Sequence, residues 1–334
     1  MSARTYLDWN ATAPLRPEAR AAMLVAMDLV GNPSSVHAEG RLARGLVERA
    51  RAQVAAAIGC KPQEVVFTSG ATEAATVLEQ FDAVEVDATA HDCVFSHEKP
   101  GFNAATALGV ANNETGIIAN GTATLLDIAQ VVGRVPFAFN WVDARFAIVS
   151  GHKFGAPKGI GALIVKEGQD VTPWLKGGGQ EMGRRSGTEN ITAIAGIGAA
   201  AEAAQRDLEN GAWDKVADLR DRFEAMIGEL AGDATVVGQG AKRLPNTSCI
   251  ISPGWKGETQ VMAMDLAGFA ISAGSACSSG KVRPSRVLKA MGYDDDAAKS
   301  AIRVSIGPTT REDELMKFAE VWASARKRAM ARAA

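Results

Sequence analysis

Four cysteines in 334 residues, Cys60, Cys93, Cys249 and Cys277, are too few for a disulfide framework and show no paired spacing of the kind that holds a metal. Neither sign of charge is in excess. With 36 Lys and Arg against 38 Asp and Glu, the net charge is -2, which gives no reason to expect nucleic acid or a membrane surface as a partner. No apolar run reaches the length of a membrane span, and Asp8 and Arg16 fall where a secretory leader would need its apolar core. The expected location is cytoplasmic. Internal repeats and low-complexity segments are also absent. What is present is a chain 47% hydrophobic, long enough for two globular domains, one large and one small, each with its own core.

Periodicity orders these domains. Leu42, Leu46, Val47, Ala50, Val54 and Ile58 recur at helical spacing, with Gly59 as the C-cap. Glu64-Val-Val-Phe67 reads as a buried strand, and Thr68-Ser-Gly-Ala-Thr-Glu73 as a glycine turn that opens a helix. Such a turn points backbone N–H groups at an anion, and Ser69 and Thr72 add hydroxyls. Ala83-Val-Glu-Val-Asp87 leads toward His91, and Ala107-Leu-Gly-Val-Ala111 leads into Asn112-Asn-Glu-Thr-Gly116. Phe137-Ala-Phe-Asn-Trp-Val-Asp143 reads as a strand ending in a carboxylate, and Phe146-Ala-Ile-Val149 as one that delivers Ser150. Alternating strands and helices predict an α/β fold with a mainly parallel sheet, whose ligands bind beyond the C-terminal strand ends. His91, Asn113, Asp143 and Lys153 all fall at such ends. A boundary near Arg206 leaves residues 15–206 as the large domain, and 1–14 with 207–334 as a smaller α+β domain.

At the centre lies Ser150-Gly-His-Lys153, a lysine behind a serine and a histidine in a glycine-rich turn. Pyridoxal phosphate needs a lysine for its imine, an acid for its pyridinium nitrogen and donors for its phosphate. Lys153, Asp143, and Ser150 with His152 supply one of each. Cys277 is set apart from the other thiols by its surroundings. Ile271-Ser-Ala-Gly-Ser-Ala-Cys-Ser-Ser-Gly280 has no bulky side chain after Ile271, so it packs no core and exposes its thiol, which acts as a nucleophile once a base or cation lowers its pKa.

Together these motifs resemble the NifS/IscS-type cysteine desulfurases, in the class V aminotransferase branch of fold-type I pyridoxal phosphate enzymes. The resemblance runs from Tyr6-Leu-Asp-Trp-Asn-Ala-Thr-Ala-Pro14 to Ala301-Ile-Arg-Val-Ser-Ile-Gly307, and includes Gly31-Asn-Pro-Ser-Ser35, Gly177-Gly-Gly-Gln-Glu181 and Arg185-Ser-Gly-Thr188. It implies a seven-stranded-type sheet in the large domain, pyridoxal 5'-phosphate as cofactor and L-cysteine as substrate. Lys153 would hold the cofactor and act as base at Cα, Asp143 would pair with the ring nitrogen, and His91 would stack on the ring and relay protons. Asn113 would contact the ring oxygen or the substrate. Ala71, Thr72, Ser150 and His152 would hold the phosphate, with Thr188 reaching it from the partner subunit of a homodimer. Arg303, with Asn32 beside it, would bind the substrate carboxylate. Cys277 would take the sulfur as a persulfide and pass it to an acceptor or scaffold protein of iron–sulfur or thio-cofactor assembly.

Three departures from the family pattern stand out. The stretch between Glu73 and Asn112 is short, so that Asp92 to Thr106 must replace a helix and a strand. A segment between Asp143 and Ser150 is missing, and the family's glutamine three residues after the Asp falls at Phe146, which cannot hydrogen-bond a ring oxygen. The C-terminus ends soon after the last helix. These departures imply a partly uncovered cofactor pocket that a partner protein or a rearranged dimer closes. Phe146 and the deletions weigh for one alternative, a degenerate, partner-dependent binding subunit; a second enzyme reading is a selenocysteine lyase or other β-eliminating relative, which substrate preference would separate.

Overall fold

The structure, a computed structural model, describes residues 4–274 and 284–333. It divides into two compact units. The larger comprises Thr12–Val110 and Ala119–Asn210, and the smaller comprises the chain ends, up to Ala11 and from Gly211, with Ala111–Ile118.

The larger unit is built on six strands: β1 (Val65–Thr68), β2 (Val84–Val86), β3 (Ala105–Gly109), β4 (Leu125–Asp127), β5 (Phe146–Ser150) and β6 (Gly161–Val165). Their order is β1-β6-β5-β4-β3-β2. The strands β2 to β5 are mutually parallel, while β6 runs antiparallel to both neighbours. Both β5 and β6 are buried at every residue, as a sheet covered on two faces requires. Helices Pro17–Met27, Ala38–Ile58 and Ile191–Glu209 belong to the same unit.

The seven-stranded expectation becomes six strands among the described residues. Between His91 and Ala105 the chain forms only a single helical turn, Asp92–Phe95, and one antiparallel bridge, Val84 to Lys99, on the outer side of β2. The segment is too short for a strand in that position.

A further difference concerns residues 137–143. They form a one-turn 3₁₀ helix, Phe139–Trp141, rather than a strand. Phe139 is buried and Trp141 fully outward, while the Asn140 N–H donates to the Gly59 carbonyl. Of the segment's apolar residues only Phe139 is fully buried, and the segment stays outside the sheet.

At the other side of the unit, β1 is an edge strand, and its outward backbone groups are satisfied by side chains. The Arg51 guanidinium donates to the Val65 carbonyl at 2.7 Å, and the Glu181 carboxylate accepts the Phe67 N–H at 2.8 Å. These two side chains form a two-pronged ion pair at 2.8 and 2.9 Å, and each is nearly fully buried. Glu181 and Met182 both hold left-handed backbone, φ 49° and 57°, which costs about 1–3 kcal/mol each and persists only where the surroundings impose it. Glu181→Ala is expected to destabilise the protein by roughly 3 kcal/mol, because it removes the buried partner of Arg51, leaves the Phe67 N–H without its acceptor, and leaves only the exposed Glu48, at 3.2 Å from Nε, to balance the charge. Urea denaturation measures this, and a double replacement, Arg51→Met with Glu181→Leu, should recover only part of the loss, because it removes the buried charge but also leaves the Val65 carbonyl and the Phe67 N–H without their side-chain partners.

The smaller unit holds a four-stranded antiparallel sheet in the order Ser272–Ala273, Ala301–Ser305, Thr247–Ile251, Thr235–Val236. Helices Ala212–Leu230, Gly257–Leu266 and Glu312–Ala333 accompany it, in keeping with the α+β expectation.

Candidate active site

Strand direction decides which residues meet. In β2, β4 and β5 the C-terminal ends share one edge of the sheet, and β1 runs in the same sense, since it is antiparallel to β6 as β5 is. That edge carries His91 after β2, Asp127 at the end of β4, Ser150 at the end of β5 with His152 and Lys153 just beyond, and the Thr68 to Thr72 turn after β1. The register sets Thr68, Gly161 and Ser150 in one row. Gly161 is required there: a Cβ on it would fall 2.3 Å from the Val149 carbonyl oxygen and 2.6 Å from Gly70 Cα. The Thr68 to Thr72 turn and the end of β5 that leads to Lys153 are thereby pressed together across one residue that has no side chain.

Asp143 does not reach this edge. It precedes β5, is exposed, and lies at the strand's N-terminal end, the full length of β5 away from Ser150. The carboxylate at the expected place is Asp127. Its side chain is partly accessible yet ringed by protein, and this desolvation pushes its pKa up. The Ala129 N–H bond and the nearby charges of His91 and Lys153 pull the other way. Phe146 is likewise a core residue of β5 with no part in the site. The glutamine three residues after the acid is Gln130, in Asp127-Ile-Ala-Gln130.

The other members of the edge are placed as follows. His91 caps the turn Asp92–Phe95, its Nδ1 accepting the Cys93 N–H at 3.2 Å, so the proton of the neutral ring sits on Nε2. Burial, then the charges of Lys153, Lys158 and Arg134, depress the His152 pKa to about 4, which keeps this ring neutral at physiological pH. Its Nδ1 is buried without a hydrogen-bond partner among the described residues. Ser150 and Ala71 are buried, and Thr72 is exposed. Asn32 and Thr188 are exposed as well, Asn32 closing a local turn by accepting the Ser34 N–H.

In the smaller unit, Arg303 and Asn113 come together. Arg303 donates to Asp8 Oδ1 at 2.7 Å and to the Asn113 carbonyl at 3.2 Å, while its buried Nε has no partner among the described residues. Asp8 also accepts from Ser272 Oγ at 2.7 Å. The thiols of Cys60, Cys93 and Cys249 are all pushed up to about 12, by burial first and then by Glu64, Asp127 and Glu114 respectively. All three are protonated, poor nucleophiles. Cys277 lies outside the described residues.

The family model for "Aminotransferase class-V" matches residues 5–89 and 102–318. The chain belongs to this family. A cysteine desulfurase from Cereibacter sphaeroides is 36% identical over 370 positions, covering 95% of this chain and 94% of the relative. Cysteine desulfurase IscS from Dictyoglomus turgidum is 34% identical, covering 94% and 92%. Among solved structures, a NifS-like protein from Rickettsia africae superposes with a TM-score of 0.86 at 28% identity, covering 96% of this chain and 99% of that one. Within class V the chain therefore groups with the cysteine desulfurases, which are pyridoxal phosphate enzymes. The match is interrupted at 90–101, the shortened stretch that carries His91.

The residues of this class-V protein fit that cofactor. An unpartnered His152 Nδ1 and a close-packed glycine turn suit its phosphate, and a carboxylate whose pKa burial has raised suits a cationic ring nitrogen, which would favour the ionised form again. Sequence reasoning missed Asp127 and Gln130. The signal for both was the acid–glutamine spacing itself.

Proposed function

We propose that this chain is a pyridoxal phosphate-dependent cysteine desulfurase, which converts L-cysteine to L-alanine and leaves the sulfur as a persulfide on Cys277. The observation that carries the reading is the convergence of Lys153, Asp127 and His91 at one sheet edge, in a chain whose relatives over nearly its full length are cysteine desulfurases. Bound at that edge, the cofactor supplies an electron sink for the amino-acid Cα. Asp127 would hold the positive ring nitrogen, and the Gly70 to Thr72 turn, Ser150 and His152 would hold the phosphate.

The Lys153 amine removes the proton at Cα and later returns one to the product carbon. His91 serves as a proton relay through Nε2, because the Cys93 N–H occupies Nδ1. Arg303 takes the substrate carboxylate, with Asn113 beside it and Asn32 as a further contact; the guanidinium offers a second donor edge through Nε. The Cys277 thiolate attacks the substrate sulfur. A sulfur–sulfur bond forms as the carbon–sulfur bond breaks, and the released electron pair ends, with a proton, on the carbon that becomes the alanine methyl.

Working as a homodimer fits the larger unit's surface, where Leu24, Val25, Met27, Val30, Val36 and Leu42 are exposed. Thr188, also exposed, reaches the partner's phosphate in this arrangement. The persulfide then passes to an acceptor protein of iron–sulfur or thio-cofactor assembly. A reducing cytoplasm suits such thiol traffic.

The test is alanine formation from L-cysteine by wild type and Cys277→Ala, with and without a thiol acceptor. Cys277→Ala should keep the bound cofactor's absorption but lose persulfide formation and at least ~10²-fold in rate. Unchanged sulfur release by that variant would overturn the reading.

A further inference from the structure

Arg134 is 1% exposed, among the most deeply buried large side chains of the protein. Its Nη1 donates to Gln130 Oε1 at 2.6 Å, and its Nη2 donates to the Lys153 carbonyl at 2.8 Å. A single guanidinium thus ties the turn after β4, which carries Gln130 three residues beyond Asp127, to the turn after β5, which carries Lys153.

The chemistry of this contact decides an orientation. A side-chain amide presents either an acceptor or a donor face, and the two are nearly the same in shape. A guanidinium has five donors, no acceptor, and does not lose its charge in a protein. Gln130 must therefore turn its oxygen to Arg134, and its NH₂ group faces away. The short charge-assisted contact makes the flipped amide costly, since it would set donor against donor. Gly133 allows the geometry: its left-handed backbone, φ 69°, turns the chain against helix Ile191–Glu209, where a Cβ would lie 2.4 Å from Ala204 Cβ.

We infer that Arg134 is a positioning residue, which locks Gln130 as a hydrogen-bond donor toward the cofactor's ring oxygen and fixes the height of Lys153 relative to it. The inference rests on the pyridoxal phosphate reading proposed above. Arg134 acts through the Gln130 amide and the Lys153 backbone.

The experiment compares wild type, Gln130→Ala, Arg134→Met, Arg134→Lys and the Gln130→Ala/Arg134→Met double variant, each reconstituted with pyridoxal phosphate. Two quantities are read: the midpoint of the pH titration of the bound cofactor's visible absorption, and the cofactor dissociation constant. Loss of one hydrogen bond corresponds to a midpoint shift of about one pH unit and a dissociation constant about tenfold higher. Gln130→Ala and Arg134→Met should shift the midpoint in the same direction and by similar amounts, and the double variant should move little further, because both singles remove one interaction.

Should the methionine variant not fold, Arg134→Lys still decides, since it keeps the buried charge but cannot fork to two oxygens; it should show the same direction of shift. Arg134 variants that titrate as wild type while Gln130→Ala shifts would overturn the inference and leave the cofactor reading intact. Full additivity in the double variant would also overturn it. An unmoved midpoint in Gln130→Ala would remove the ring-oxygen contact and the inference with it.

Discussion

Lys153→Ala is expected to lower alanine formation from L-cysteine by at least ~10³-fold, the combined loss of the imine-forming amine and of the base at Cα. The side chain follows directly on the β5 strand end, where its charge acts on Asp127 and on His152. Removing that charge alone would leave Asp127 holding its proton more tightly and let the His152 pKa rise, although burial, its larger cause, would keep it below the ordinary imidazole range. Lys153→Arg separates charge from chemistry. Arginine keeps the cation but does not deprotonate, so it neither forms the imine nor takes a proton. Both variants should be equally inactive, and both should release the cofactor on gel filtration. Activity of Lys153→Ala within tenfold of wild type would exclude the lysine from the proposed chemistry.

Asp127→Asn should cost about 10²–10³-fold in turnover, the scale of removing one preorganised charge-stabilising group, while making the cofactor-free protein more resistant to heat. The sign follows from linkage. Burial raises the folded-state pKa of Asp127, so the folded protein keeps this proton to a higher pH than the unfolded chain does. Where the folded state holds the extra proton, stability falls as pH rises. The loss begins at the ordinary carboxylate range and continues until the folded pKa is passed. Asparagine retains the oxygen that accepts the Ala129 N–H and has no proton to give up. Melting curves of the cofactor-free proteins at several pH values should therefore nearly coincide in acid and separate toward neutrality, with Asp127→Asn higher by a few degrees. Added pyridoxal phosphate should reverse the order, because only the carboxylate gains from a cationic ring nitrogen. Identical pH dependence of the two proteins would show that Asp127 carries no such burden.

Much of the site was legible because its signals are local. Ser150-Gly-His-Lys153 and Thr68-Ser-Gly-Ala-Thr-Glu73 place small residues where backbones approach closely, and the structure shows the reason in the contact between Gly161 and Gly70. The acid was misplaced for an equally physical reason. The strand that carries Asp127, Leu125–Asp127, is only three residues long, too short for periodicity to mark it. The apolar run ending at Asp143 is longer and more strand-like, but it folds as a one-turn 3₁₀ helix with only Phe139 fully buried. Arg134 was not legible at all. On sequence it is one arginine among many, and only the fold shows that its two acceptors come from separate turns. With Asp127 and Gln130 in place, the argument for a degenerate binding subunit loses the substitution at Phe146 on which it leaned.

The ion pair on the outer side of β1 has a meaning beyond native stability. Arg51 comes from an early helix and Glu181 from a loop more than a hundred residues later in the chain. Without that loop the Phe67 N–H on the outer side of β1 has no acceptor, and an edge with an open donor is a template on which another chain can add a strand. Glu181, set against Phe67, closes that opening. The two left-handed residues thus do more than close a turn: they hold the carboxylate that covers an otherwise open strand edge.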